Sequence, residues 1–208
     1  QSRTFSKYAE EGQIDSEYSA DSGLGFEAGL HYRFKPRLGA MLSFATASRD
    51  GSLSYSASVP HPLYLDQDRT ISGTKDGLSH SETAFHLDFV YQIQSGGFEV
   101  LFFAGPSFVE VNTDVVSSLD YNDVYPYDEV SVTGVSLTEA SDSAIGFNLG
   151  AGLDYRFGKS RQFGIGVQAR YTTASLTVAP PAGPTIAITA GGFQAAAGLR
   201  LSFPDRGA

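Results

Sequence analysis

The chain has 208 residues, 23 glycines, 12% aromatic residues and no tryptophan, a composition that suits one domain of many strands and turns. Its lack of cysteine excludes a disulfide framework and any thiolate metal site, and its net charge of −9 argues against a nucleic-acid partner. No apolar run approaches the ~18 residues of a spanning helix, which leaves open a membrane protein built from alternating strands of ~9–11 residues each.

Residues 1–21 carry the weakest pattern. Ser2–Ala9, with Phe5 and Tyr8, reads as a short strand, followed by an acidic loop containing Glu10, Glu11, Asp15, Glu17 and Asp21. A disordered N-terminal tail is the competing reading. A chain that begins at Gln1 without a signal peptide is expected to be a processed, mature protein.

From Leu24 the period is two. Leu24, Phe26, Ala28, Leu30, Tyr32 and Phe34 form an apolar face, with Gly25, Glu27, Gly29, His31 and Arg33 between them. Lys35-Pro-Arg37 is a tight turn, and a return strand from Leu38 runs to about Ser58, with Leu38, Ala40, Leu42 and Phe44 outward and Met41, Ser43 and Ala45 inward. Val59–Glu82 reads as a long polar loop. Thr83–Gln94 alternates Phe85, Leu87, Phe89, Tyr91 and Ile93 with His86, Asp88, Val90 and Gln92, and Ser95-Gly-Gly97 signals a hairpin.

Phe98–Val116 returns. It is apolar on both faces near Leu101 and Phe103, which leaves its facing open, and Gly105-Pro106 is expected to mark a bulge or kink. Ser117–Ser141 reads as a second long loop, rich in Asp and Tyr. Ser143–Phe157 has the clearest alternation, from Ile145 to Phe157 against Ala144 to Arg156. After a turn at Gly158–Gln162, Phe163–Val178 places Phe163, Ile165, Val167, Ala169 and Tyr171 opposite Gly164, Gly166, Gln168 and Arg170. Ala179–Thr185 is a Pro/Gly loop. In the last segment, Ile186–Phe203, the residues Phe193, Ala195, Ala197, Leu199, Leu201 and Phe203 share one face.

These are seven strong strands joined by alternating short turns and long loops. The faces opposite the apolar ones hold Gly, Ala and ionisable residues, as expected of a closed barrel with lipid outside and a tight polar interior. Aromatics crowd the short-turn ends at Tyr32, Phe34, Tyr91, Phe98, Tyr155, Phe157, Phe163 and Phe203, and those turns are basic at Lys35, Arg37, Lys159 and Arg161. The predicted fold is an all-β, antiparallel up-and-down transmembrane barrel of eight strands, the N-terminal segment supplying the eighth. A soluble sandwich or lipocalin-like barrel is the alternative.

On the residues of Ile145–Phe157, Phe163–Tyr171 and Phe193–Phe203, the chain resembles the small OmpA/OmpX-type outer-membrane barrels over nearly its whole length. Phe203 matches their terminal aromatic, although Pro204–Ala208 follows where the family usually stops. The resemblance implies a monomeric barrel in a Gram-negative-type outer membrane, among lipopolysaccharide, with both termini periplasmic. No peptidoglycan-binding domain is expected after Phe203, so the tethering role of larger members is not carried over.

The candidate interior residues are Glu27, His31, Arg33, His86, Asp88, Asp154, Arg156, Gln168, Arg170, Gln194 and Arg200, with Glu99 a further acid. Eight strands enclose a space that side chains just fill, so these charges must pair. They form either a structural salt-bridge plug or a proton or ion path. A wide diffusion pore is not expected, since porins use about twice as many strands.

Catalysis is not expected, and neither is a cofactor. Ser79-His80-Ser81-Glu82 places adjacent Ser and His on opposite faces, and neither His31 nor His86 has a convincing serine partner by spacing. Asp120, Asp123, Asp128 and Glu129 offer hard oxygen ligands for calcium, but their spacing is not that of an EF-hand and an acidic solvated loop explains them better. Tyr121, Tyr125 and Tyr127 in the same loop offer contact area for recognition. Three functions follow, in this order: surface contact or docking through acidic, tyrosine-bearing loops; a narrow channel for ions or small solutes; and a lipid-active enzyme.

Overall fold

A computed structural model of the chain describes residues 2–127, 129–158, 161–178 and 186–203. The described residues form one antiparallel sheet of nine strands: β1 Ser2–Lys7, β2 Glu10–Ala20, β3 Leu24–Lys35, β4 Leu38–Pro60, β5 Asp68–Ser95, β6 Phe98–Val124, β7 Glu129–Phe157, β8 Phe163–Val178 and β9 Ile186–Leu201. β2 pairs with the upper half of β4 and β3 with its lower half, so the two make one interrupted lane. There are therefore eight lanes, in the order β1, β2/β3, β4, β5, β6, β7, β8, β9.

The acidic stretch expected to be a loop is strand β2. Its partner β1 is reached through a two-residue hairpin in which Tyr8 and Ala9 both adopt positive φ, 54° and 67°. That twist matches the flanking strands. Neither residue announces it, because the usual signal for such a turn is Asn-Gly.

The long loops are also shorter than expected. Val59–Glu82 is mostly sheet: β4 continues to Pro60, and β5 begins at Asp68 and pairs with it from the tip down. Ser117–Ser141 is the upper part of the β6–β7 hairpin, with Val124 opposite Glu129 and register shifts near Ser118 and Tyr121. The loop Ala179–Thr185 and the tail Pro204–Ala208 lie outside the described residues.

At a rise of ~3.3 Å per residue, the 28 residues of β5 extend about 90 Å, roughly three times a bilayer's hydrocarbon core. Only the short-turn end carries the lipid-facing pattern. There the outward residues are large and exposed, from Leu24 at 91% through Phe26, Leu87, Phe89, Leu149, Ile165 and Leu199. The inward residues Ser43, His86, Asp88, Glu99, Asn148, Asp154 and Arg170 are buried.

Beyond this band the polarity inverts. Outward positions become Ser52, Ser54, Ser56, Ser58, Thr70, Ser72 and Thr74, while Leu53, Ala57, Val59 and Ile71 turn inward and are buried. Ala57, Val59 and Ile71 pack with Phe5, Ile14, Tyr55, Val130 and Val132, so the four hairpin strands and β7 share a small apolar core. Water outside requires apolar inside, and lipid outside permits the reverse. One continuous set of strands obeys both rules at different heights.

Two local expectations resolve against the sheet. Leu101 and Phe103 face inward and are buried, so Phe98, Val100, Phe102 and Ala104 face lipid. Gly105-Pro106 introduces no register shift. Glycine is required there instead by close approach: a Cβ at 105 would overlap the Leu87 carbonyl oxygen and lie 2.9 Å from Asp88 Cα.

Candidate functional site

The interior side chains come from alternate positions of lanes β3 to β9 and form a layered column. At its centre is Arg170, 1% exposed. Its Nη1 donates to Asp88 and to Asn148 Oδ1, each at 2.9 Å, and its Nη2 donates to Glu27 and to Ser43, each at 3.0 Å. The guanidinium also lies 4.8 Å from the Phe103 ring centroid, a cation–π placement. Asn148 donates to Asp88 at 2.7 Å and to Ser107 at 2.9 Å, and Gln168 holds the second Glu27 oxygen at 2.6 Å.

Toward the short turns, Arg156 pairs with Glu99, and Arg200 Nε pairs with Asp154 at 3.1 Å while its Nη2 donates to Gln168 at 2.9 Å. Val90, Leu101 and Phe103, with Met41 against them, form an apolar cluster, while Gln168 links this layer to the centre by accepting from Arg200 and donating to Glu27. On the other side, Ala84, Val109, Val111, Ala174, Leu176 and Ala190 close the column. A small space of ≈ 10 Å³ beside Glu82 and Thr172 has room for about one water. Along this column Arg156 and Arg200 each face one carboxylate, and Arg170 lies between two.

Of the expected interior set, Glu27, Asp88, Asp154, Arg156, Gln168, Arg170 and Arg200 join this network, as does Glu99. His31 and Arg33 face the same side of β3 but are exposed. Gln194 lines the small cavity. The reading missed Ser43, Ser107 and Asn148, whose inward positions on strands already identified were the available signal. A small polar residue scores as neutral unless its partners are known.

His86 is a correction. Spacing gave it no serine, yet its Nδ1 lies 2.8 Å from Ser107 Oγ across the β5–β6 pair. Both are buried, and Ser107 also accepts from Asn148. Ser79 is exposed on the outward face, while His80 is buried inward with Glu82 at 2.8 Å, and Glu82 also pairs with Arg49. Strand alternation keeps Ser79 and His80 apart.

At the long-hairpin end, Asp123 gathers three donors. Arg69 approaches at 2.8 Å, Tyr8 Oη donates at 2.9 Å, and Lys7 stands at 3.4 Å. These tie the β1–β2 hairpin and β5 to the β6–β7 hairpin above the last β5–β6 backbone pair, His80–Thr113. Asp123 is thus engaged in ion pairs, and among the described residues no cluster of three or more acids or histidines is arranged for a metal. Asp128, and the side chains of Asp120, Tyr121 and Glu129, lie outside the described residues. Tyr125 is 79% exposed at the hairpin tip, its ring edge-on to Tyr127 with centroids 5.7 Å apart.

Partial burial raises the Asp123 pKa, but the Tyr8 hydrogen bond, then Arg69 and Lys7, outweigh it and hold the carboxyl below the ordinary carboxylate value. A depressed pKa contributes stability that is complete above the unfolded value, about 3.9, and is lost as pH falls through the folded value. Amide exchange in β1 and β2 should therefore accelerate, beyond its intrinsic pH dependence, below about pH 4. Asp123→Asn should remove that acceleration. An unchanged acid response in Asp123→Asn would show that another group docks this hairpin.

An ionic interior, an apolar band facing lipid and strands joined by short turns on one side define a transmembrane β-barrel. The model of the outer membrane protein beta-barrel domain matches residues 4–203, and the chain belongs to that family. It is an outer-membrane protein. No curated protein and no solved structure matches the chain.

Proposed function

We propose that this protein works through its long hairpins, mediating surface contact: adhesion, shielding or docking to a larger outer-membrane assembly, without catalysis and amid lipopolysaccharide. The supporting observation is that β4 to β7 continue well past the apolar band as a folded sheet with its own apolar core. Disordered loops would not need such a core, whereas a stiff platform that presents side chains to a partner does. Tyr125 at the tip and the outward carboxylates Glu11, Asp15, Glu17, Asp68 and Asp76 are the groups it presents.

The packed column favours this over the narrow channel. In planar bilayers the purified protein is expected to give no stable stepwise conductance. Steps that disappear on changing Arg156 or Arg170 would replace the contact reading with the channel. The lipid-active reading is tested by mass spectrometry of lipid A and phospholipids after incubation, with an unchanged spectrum expected.

A further inference from the structure

Three consecutive large apolar side chains stand in water at the far end of the β4–β5 hairpin: Leu63, Tyr64 and Leu65 are 63%, 56% and 76% exposed. They lie about 50 Å along the strand from the edge of the lipid-facing band at Thr46, at ~3.3 Å per residue. Lipid of the protein's own membrane therefore does not account for them. An exposed apolar run on a water-facing loop marks a contact site.

The loop is built to hold these residues out. His61 is buried; its amide donates to the Gln67 carbonyl at 2.9 Å, and its Nδ1 accepts from the Leu63 and Tyr64 amides at 3.1 and 3.2 Å. The imidazole also lies against the Tyr64 ring, with centroids 4.9 Å apart. Asp66 takes a positive φ of 59°, and its amide donates to Glu10 Oε1 at 2.7 Å, which ties the loop to the β1–β2 hairpin. At the base, Arg69 donates to the Pro60 carbonyl at 2.9 Å and to the Tyr127 carbonyl at 3.1 Å, joining this tip to the hairpin that carries Tyr125. A loop fixed in this way loses little conformational entropy on binding.

Charge decides the occupant. Glu10, Glu11, Asp66 and Asp68 line one open recess beside the tip. None of the four has an ion-pair partner among the described residues, and nearby Lys7 and Arg69 are turned to Asp123. Phosphate-bearing lipid is repelled from such a rim, whereas a lysine or arginine side chain is drawn into it. We propose, resting on the contact reading above, that this tip is the anchor of a docking site for another protein. That partner's surface offers an apolar pocket to residues 63–65 and a basic rim to the recess.

The test selects a displayed random-peptide library on the protein in phosphatidylcholine nanodiscs, after depletion on empty nanodiscs. Enriched peptides are expected to combine lysine or arginine with leucine or aromatic residues, and to bind the double variant Leu63→Ser/Leu65→Ser about tenfold less well. Their affinity for the parent is expected to fall as salt rises from about 50 to about 500 mM. Most of that dependence should vanish in a variant carrying Glu10→Gln, Glu11→Gln, Asp66→Asn and Asp68→Asn, changes that keep the hydrogen-bond acceptors. Gel mobility before and after heating checks that each variant is folded. Peptides that bind the parent and the Leu63/Leu65 variant alike overturn the tip but leave the contact reading standing. No enrichment over empty nanodiscs overturns both. Enriched peptides without a cationic bias overturn the partner's chemistry. Flotation with vesicles of phosphatidylcholine and phosphatidylglycerol, or a dimer, that disappears in Leu63→Ser/Leu65→Ser assigns the tip to a membrane or to a second copy, and either overturns the occupant.

Discussion

Replacing Arg170 with methionine is expected to destabilise the barrel by about 3–5 kcal/mol, the range for removing one partner of a buried ion pair. The side chain's single positive charge is shared between Asp88 and Glu27, and the guanidinium also holds Asn148 and Ser43. Without it, two carboxylates face each other across a space too small for a hydration shell. Unfolding in urea, followed by the gel-mobility difference between unheated and heated samples, measures the loss. Combining Arg170→Met with Glu27→Gln and Asp88→Asn should recover most of it, because the penalty comes from leaving charge unpaired rather than from the absence of attraction. A loss below ~1 kcal/mol in the single variant would mean that water reaches this layer, contrary to a packed column.

The second large effect is on the outer surface. Leu149→Arg, near the middle of the apolar band, is expected to cost ~2–4 kcal/mol in a bilayer. Ser56→Arg, equally outward but beyond the band, should stay within about 0.5 kcal/mol of the parent, as surface substitutions do. The two positions have the same strand geometry and differ in the solvent outside the wall. Equal costs would show that the band does not face lipid. A cost confined to Leu149 in detergent or bilayer locates the boundary between the two environments, which the burial pattern places near Thr46 on β4 and Thr83 on β5.

Within the band, alternation was sufficient for every strand except β6, whose facing Leu101 and Phe103 left open. The other lipid-facing strands from Leu24 to Leu201 could be read because two faces in solvents of opposite polarity leave a strict period-two record. The polar interior was legible for the same reason: Asp88, Asp154, Arg156 and Arg170 sit at positions that alternation assigns inward. Beyond the band the record weakens. Thr70-Ile-Ser-Gly-Thr74 and Val130-Ser-Val-Thr133 do alternate, but with serine and threonine outward and a thin apolar core inward. Small polar residues are as common in loops as in exposed strands, so long strands looked like long loops.

Partnership is what only the tertiary structure decided. Nothing local makes Arg170 choose Glu27 and Asp88, brings Ser107 to His86, or seats Lys7, Tyr8 and Arg69 around Asp123. Those contacts join residues more than 100 positions apart in some cases, and they depend on strand register and on the order of lanes around the sheet. A period of two fixes which side of a strand a residue faces. The height at which it meets a neighbour is set by hydrogen-bond register, and register is a property of the assembled sheet.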